Sequence, residues 1–257
     1  QATVQSADAL PHYLRQAFRS SVTGTPGPAH LDIEAIWGQV ISESELDAEP
    51  IIEQQFNQVP AFRPVADKST IANAVELLNG ASRPVIVAGG GVTASGAREE
   101  LIALAEKLSI PVATSLNAKA MFPADHPLAV GTPGMYSREC SNRIVCKADL
   151  VFFIGSHTGG QVTFDFRIPR QGIPAIQLDI NPEEIGRNYA VEVGLQGDAK
   201  ATMRAIIKDS QPAPDRTKWL TEVQQLVSNW KETVEKHCNS DLAPLRPERI
   251  CRELSEK

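Results

Sequence analysis

Residues 83–114 read RPVIVAGGGVTASGAREELIALAEKLSIPVAT, and the fold turns on this stretch. Pro84, Val85, Ile86, Val87 and Ala88 make an uncharged, β-branched run, as a strand buried on both faces requires. Gly89, Gly90 and Gly91 follow at once, where the chain must turn sharply and let something approach its backbone. From Arg98 the apolar residues Leu101, Leu104, Ala105 and Leu108 fall on one face of a helix. The run PVAT at residues 111–114 is extended again. The stretch is therefore one strand–helix–strand unit with its two strands parallel.

Two readings of the glycine triplet stand side by side. As bare structure, a glycine-rich turn hands a strand over to a helix. As a site, it presents backbone N–H groups at a helix N-terminus, where phosphate is attracted. The spacing is not G-x-G-x-x-G, because the next glycine after Gly91 is Gly96, and this counts against an ordinary NAD-dependent dehydrogenase.

The same pattern recurs downstream. Strands are expected at residues 149–155, 173–178 and 191–195, with helices at 137–146 and 199–207. Ligands of open α/β sheets lie beyond the carboxyl ends of the strands. The residues placed there are Asn117 and Lys119 after the second strand, and Gly155, Ser156 and His157 after the third. Asp179 and Ile180 follow the fourth strand, and Gly197 and Asp198 the fifth. Asp179 can accept both hydroxyls of a ribose, or cap the turn into Asn181 and Pro182. Lys119 reads equally as a solvated lysine, and His157 as a hydrogen-bonded loop residue. Phosphate contacts at the glycines and ribose contacts at the aspartates match an extended nucleotide such as FAD or ADP.

At 257 residues with 42% hydrophobic residues, the chain can bury a substantial core, and 22% charged residues argue against disorder. The net charge of −6 argues against a nucleic-acid surface, no long apolar run occurs, and the opening residues QATVQSADALPHY do not read as a signal peptide. No membrane partner is expected, and the cytoplasm is the expected location. Cys140, Cys146, Cys238 and Cys251 form no C-x-x-C pair, and the five histidines are scattered, so no metal site is expected.

Read in order, the chain divides into four parts. Residues 1–40 contain a helix with Leu10, Leu14, Ala17 and Phe18 on one face, the turn TGTPGP at 23–28 and a strand at 29–33; they read as the last part of a domain whose beginning is missing. Residues 41–68, with acidic Glu43, Glu45, Asp47 and Glu49 and three prolines, read as a solvated linker. Residues 69–210 form the central domain, opened by a helix that Ser69 caps and Gly80 ends. Residues 211–257 begin with a linker, QPAP. A long helix with Leu220, Val223, Val227, Trp230 and Val234 on one face follows, and a last helix opens near Pro247.

These segments together resemble the thiamine-diphosphate-dependent enzymes of the acetolactate synthase group. The motifs that carry the resemblance are GTPGP at 24–28, RPVIVAGGG at 83–91, FP at 122–123 with GTPG at 131–134, and ADL at 148–150 running to Gly155. LDINPEEI at 178–185, GDA at 197–199 and LRPE at 245–248 complete the set. The resemblance implies an α/β, parallel-sheet, Rossmann-like central domain with helices on both faces, flanked by parts of a pyrimidine-binding and a pyrophosphate-binding domain. It implies a 2-oxo acid decarboxylase or carboligase, a transferase or lyase, using thiamine diphosphate and Mg2+, with chemistry that belongs to the cofactor. It also implies subunits paired into a dimer or tetramer, and FAD or ADP in the central domain. The family's activating glutamate and its Gly-Asp-Gly metal motif would lie outside these residues, so the fragment alone is expected neither to bind thiamine diphosphate nor to catalyse, and no residue here is assigned a catalytic role.

Two departures bear on the nucleotide. His157 and Gln161 stand where flavin-binding relatives carry arginines, and the loop LNAKA at 116–120 lacks a glycine usual there. Two fixed charges, each contributing ~1–3 kcal/mol through charged hydrogen bonds, are replaced by neutral groups. FAD, ADP, another adenine nucleotide and an empty pocket all remain open. A rival reading is a stand-alone FAD- or ADP-binding module resembling an electron-transfer flavoprotein, which would purify yellow if it held flavin.

Overall fold

The computed structural model describes residues 1–33 and 49–256; the first part of the acidic linker expected at 41–68, with Glu43, Glu45 and Asp47, falls outside them. The chain divides into two compact units, Gln1–Val65 and Ala66–Lys257.

In the first unit, β1 (Ala2–Val4) leads into α1 (Leu10–Val22) and then β2 (Leu31–Ile33). β1 and β2 pair in parallel, Ala2 opposite Leu31 and Val4 opposite Ile33. The sequence reading found the helix and the second strand but not β1, whose three residues are too few to show alternation. Residues 49–65 are mostly exposed but anchored at a few points. Phe56 is buried, and the Ala61 N–H donates to the Val22 carbonyl at 3.1 Å. The face expected to be covered on α1 is largely open, with Leu14 41% and Phe18 62% exposed.

The second unit begins with α2 (Lys68–Gly80), then β3 (Pro84–Ala88), a short α3 (Gly90–Ser95) and α4 (Arg98–Leu108). β4 (Val112–Thr114), β5 (Ala129–Gly131), α5 (Glu139–Lys147), β6 (Leu150–Ile154) and β7 (Ala175–Asp179) follow. β8 (Val193–Gln196), α6 (Ala199–Asp209), α7 (Thr217–Cys238) and α8 (Pro247–Ser255) complete it. The six strands are all parallel, in the order β5-β4-β3-β6-β7-β8. This is the doubly wound α/β arrangement that the strand–helix–strand reading implies.

Alternation along the strands feeds two cores. Ile86, Phe152, Ile154, Ile176 and Leu178 point to one face, where Ile71, Leu78, Leu101, Leu104, Met203 and Ile206 of α2, α4 and α6 cover them. Val85, Val87, Val151 and Phe153 point to the other, under Ile144, Trp219 and Val223 of α5 and α7. With both faces buried, no polar alternation survives in the strands, which explains their continuous apolar runs.

Local details differ from expectation. Asp67, not Ser69, caps α2, its carboxylate accepting from the Ser69 N–H at 2.8 Å. The glycine turn opens a separate short helix, α3, which Gly96 ends at φ +60° before α4 begins. β5 was not expected; it is a three-residue edge strand ending at Gly131, within what reads as a turn. No helix among the described residues is long and apolar enough to cross a membrane.

Candidate functional site

Chain connections from β3 run to β4 and β5 on one side of the sheet, and β6 opens the other side, so the crevice falls between the carboxyl ends of β3 and β6. Gly89, Gly91 and Gly155 meet there. A Cβ on Gly89 would stand 2.2 Å from the Gly155 carbonyl oxygen, and one on Gly91 2.6 Å from the Gly155 Cα. The Gly89 N–H donates to the Ile154 carbonyl at 2.8 Å and the Gly91 N–H to the Gly155 carbonyl at 2.9 Å. These two N–H groups were expected to face phosphate; the structure spends them on closing the β3 and β6 tips against each other. Gly90 faces elsewhere, since a Cβ there would lie 3.4 Å from the Cβ of Asn117.

Asn117 and Lys119 sit on a tight 3-10 turn, Leu116–Met121, beyond β4. Asn117 lines a cavity of about 40 Å3 with Ser115, Thr132, Tyr136 and Gln161. Lys119 lines a different hollow of about 30 Å3 with Thr114, Thr132 and Arg138. Neighbours in sequence thus serve two separate spaces.

At the β6 and β7 tips the structure builds a polar cluster. Ser156 is buried and its Oγ accepts from the Thr158 N–H at 3.3 Å. His157 is exposed, its Nδ1 3.9 Å from Glu184 Oε2. Asp179 is buried, accepts from the Asn181 N–H at 2.9 Å, and has its pKa raised by burial and, less, by Glu184, with His157 opposing. Ile180 is half-buried beside it. Glu184 is 7% exposed; its Oε1 accepts from Arg187 Nη1 at 2.7 Å, while Oε2 has no hydrogen-bond partner among the described residues.

Gln177, wholly buried in the middle of β7, fastens this cluster. Its Nε2 donates to the carbonyls of Ser156 at 3.1 Å and Glu184 at 2.8 Å, and its Oε1 accepts from the Gly186 N–H at 2.9 Å. Neither Gln177 nor Glu184 emerged as a site residue from the sequence. The signal was present: an amide inside the otherwise apolar strand AIQLD needs buried partners.

At the β8 tip the Gly197 N–H donates to the Asp179 carbonyl at 2.9 Å. Asp198 is 2% exposed and caps α6, accepting from the Ala201 N–H at 2.9 Å and from the Ser95 hydroxyl at 2.6 Å. It ties α3 to α6. The expected site residues therefore share the carboxyl edge of one sheet but separate into the β3/β6 crevice, the two hollows near β4 and β5, and the acidic cluster at β7.

The sequence pattern described as "Thiamine pyrophosphate enzyme, central domain" matches residues 71–206, which span α2 to α6 of this sheet. The chain belongs to the thiamine pyrophosphate enzyme family. It is 34% identical to a probable acetolactate synthase large subunit of Methanocaldococcus jannaschii over 257 residues, covering 98% of this chain and 42% of that protein. It is 31% identical to a glyoxylate carboligase of Escherichia coli O157:H7 over 261 residues, 99% of this chain and 42% of the relative. With an acetolactate synthase large subunit of Corynebacterium glutamicum it shares 32% identity over 247 residues, 94% of this chain and 38% of the relative. The chain thus spans about two fifths of the length of these relatives.

Within this thiamine pyrophosphate enzyme central domain, the residues fit the candidate groups unequally. Among the described residues no group of three or more histidine, cysteine, aspartate or glutamate side chains could hold a metal ion. For a nucleotide, the β7 cluster fits the ribose end: Asp179 and Glu184 Oε2, which makes no hydrogen bond among the described residues, are acceptors for hydroxyl groups. The glycine triplet does not fit the phosphate end, because two of its three N–H groups are taken.

Proposed function

We propose that the protein is a thiamine-diphosphate-dependent decarboxylase or carboligase of 2-oxo acids, in which this chain supplies the central scaffold. The observation that carries the reading is the family match over residues 71–206, laid on a sheet whose two cores are fully built by its own helices. The names of the relatives, acetolactate synthase and glyoxylate carboligase, support a 2-oxo acid as substrate. Thiamine diphosphate and its Mg2+ supply the carbanion chemistry when bound. In this reading the groups that hold them belong to the rest of the protein, and the chain alone is inactive. The same reading carries pairing of subunits into a dimer or tetramer.

The test is carbon dioxide release from pyruvate and from glyoxylate by the protein extended to the length of its relatives, with and without thiamine diphosphate and Mg2+. Release that requires both additions supports the proposal; none from either acid overturns it. Calorimetry on the present chain should show no saturable heat with thiamine diphosphate.

A second element concerns the nucleotide and rests on the acidic cluster at β7. A ribose would hydrogen-bond to Asp179, with the diphosphate turned away from Gly89 and Gly91. Titration with ADP and with FAD, repeated on Asp179→Asn, measures this; equal affinity in the variant removes the ribose role.

A further inference from the structure

One hollow is lined by cations that have no counter-charge among the described residues. It opens at the carboxyl ends of β4 and β5, measures about 30 Å3, and has Thr114, Lys119, Thr132 and Arg138 in its wall. Arg138 reaches it by lying across Gly131: a Cβ there would stand 2.4 Å from Arg138 Cδ and 2.9 Å from its Nε. Gly131, at φ +91°, is therefore required twice, by its own backbone and by the arginine above it. The guanidinium carbon lies 4.6 Å from the centre of the Trp230 ring on α7.

Among the described residues, neither the Arg138 guanidinium nor the Lys119 ammonium has a carboxylate or hydrogen-bond partner. The adjacent acid, Glu139, is turned to Arg143 at 3.4 Å. Thr114 and Thr132 are 6% and 9% exposed, and their hydroxyls take no protein partner among those residues either. Their oxygens are not sealed off, since they are absent from the buried, unpaired set. Two cations and two free donors thus surround a space that accommodates on the order of two waters. That is room for a head group, not for a whole ligand.

We propose that this hollow binds a small oxyanion, the carboxylate of an organic acid or a phosphate group. Arg138 supplies a planar fork matched to two oxygens, Lys119 a point charge, and the threonine hydroxyls donate to what remains. The proposal does not rest on the thiamine reading, and its test involves neither thiamine nor turnover.

Trp230 provides the reporter, because an anion that draws on Arg138 changes the charge above its ring. The purified protein is titrated with sodium phosphate and, separately, with sodium pyruvate, at constant ionic strength set by chloride, and followed by tryptophan fluorescence and by calorimetry. Saturable binding of one probe is expected, and which probe binds distinguishes phosphate from carboxylate. Arg138→Gln and Lys119→Gln should each weaken it about tenfold, as the loss of one charged hydrogen bond does. Trp230→Phe should abolish the fluorescence change and keep the heat. Lys119 is exposed on its turn, so Lys119→Gln folds and decides the matter even if Arg138→Gln does not. No saturable heat with either probe, or binding unchanged in a folded Lys119→Gln protein, overturns the proposal.

Discussion

Gly91 and Gly155 touch backbone to backbone. The Gly91 N–H donates to the Gly155 carbonyl at 2.9 Å, and a Cβ on either residue would come within 2.6 Å of the other's Cα. The contact joins the two strand tips at the point where the sheet reverses its winding.

Alanine at either position should therefore be costly. At Gly155 the substitution adds a left-handed φ of +56° to the clash, so Gly155→Ala should lose about 3–4 kcal/mol and Gly91→Ala about 2–3 kcal/mol. Gly159→Ala, which meets nothing within 4 Å, should stay within about 0.5 kcal/mol of the parent. Urea unfolding of the three variants provides the comparison; equal losses at all three sites would contradict the backbone contact.

Arg216 should rank among the most sensitive single positions outside the sheet. It is 3% exposed, and its guanidinium donates to the carbonyls of Leu78 and Leu108 and, at 3.0 Å, to that of Ala81. It thus closes the C-terminal ends of α2 and α4 and fixes where α7 begins. Burial pulls its pKa down while Asp149 opposes this. Arg216→Met leaves those carbonyls unpaired and should cost about 3 kcal/mol, and Arg216→Lys should recover only part, since an ammonium lacks the fork. Thermal unfolding of both variants decides this; a full rescue by lysine would show that charge alone matters.

Much of this fold was legible because a doubly buried parallel strand cannot hide. Val85 to Ala88 and Leu150 to Ile154 are apolar throughout, and each ends in glycine. β1 and β5 escaped notice because three residues carry no period, and α3 because it is only six residues long. The strand ends were located correctly as positions, but what each side chain does there was not legible. Asp198 and the N–H groups of Gly89 and Gly91 look like ligand-facing groups in one dimension and are taken by partners distant in sequence. Gln177 and Glu184 show the reverse, since their importance depends on loops that only the folded chain brings together.

Asp179 should make the protein less stable at neutral pH than in mild acid. Its folded pKa is raised above the ordinary 3.8, chiefly by burial, so the folded state holds the proton more tightly than the unfolded state. Below 3.8 both states are protonated and the group contributes nothing. As pH rises through the folded value, the unfolded chain ionises freely while the buried carboxylate does so at a cost, and stability falls. Asp179→Asn keeps an acceptor for the Asn181 N–H and has no charge to bury. The variant should be more stable than the parent at pH 7, with the difference fading towards pH 3.8. Urea midpoints across that range test it, and a variant that gains nothing at neutral pH would refute the assignment.

Gln177 holds the two loops of the β7 cluster by three hydrogen bonds from a wholly buried amide, to the Ser156 and Glu184 carbonyls and from the Gly186 N–H. Leucine fills nearly the same volume but pairs with none of these groups. Each buried group left unpaired costs about 1–3 kcal/mol, although loop movement lets some recover water, so Gln177→Leu should lose about 3 kcal/mol in all. Glutamate keeps the shape and the acceptor for Gly186 but turns a donor into an acceptor facing two carbonyls. Gln177→Glu should therefore be destabilised at pH 7 and partly restored in acid, where the protonated carboxyl donates to one of them. Hydrogen exchange at the Gly186 N–H reads the same effect locally: it should quicken strongly in the leucine variant. Unchanged protection there would mean that the loops are held by something other than this amide.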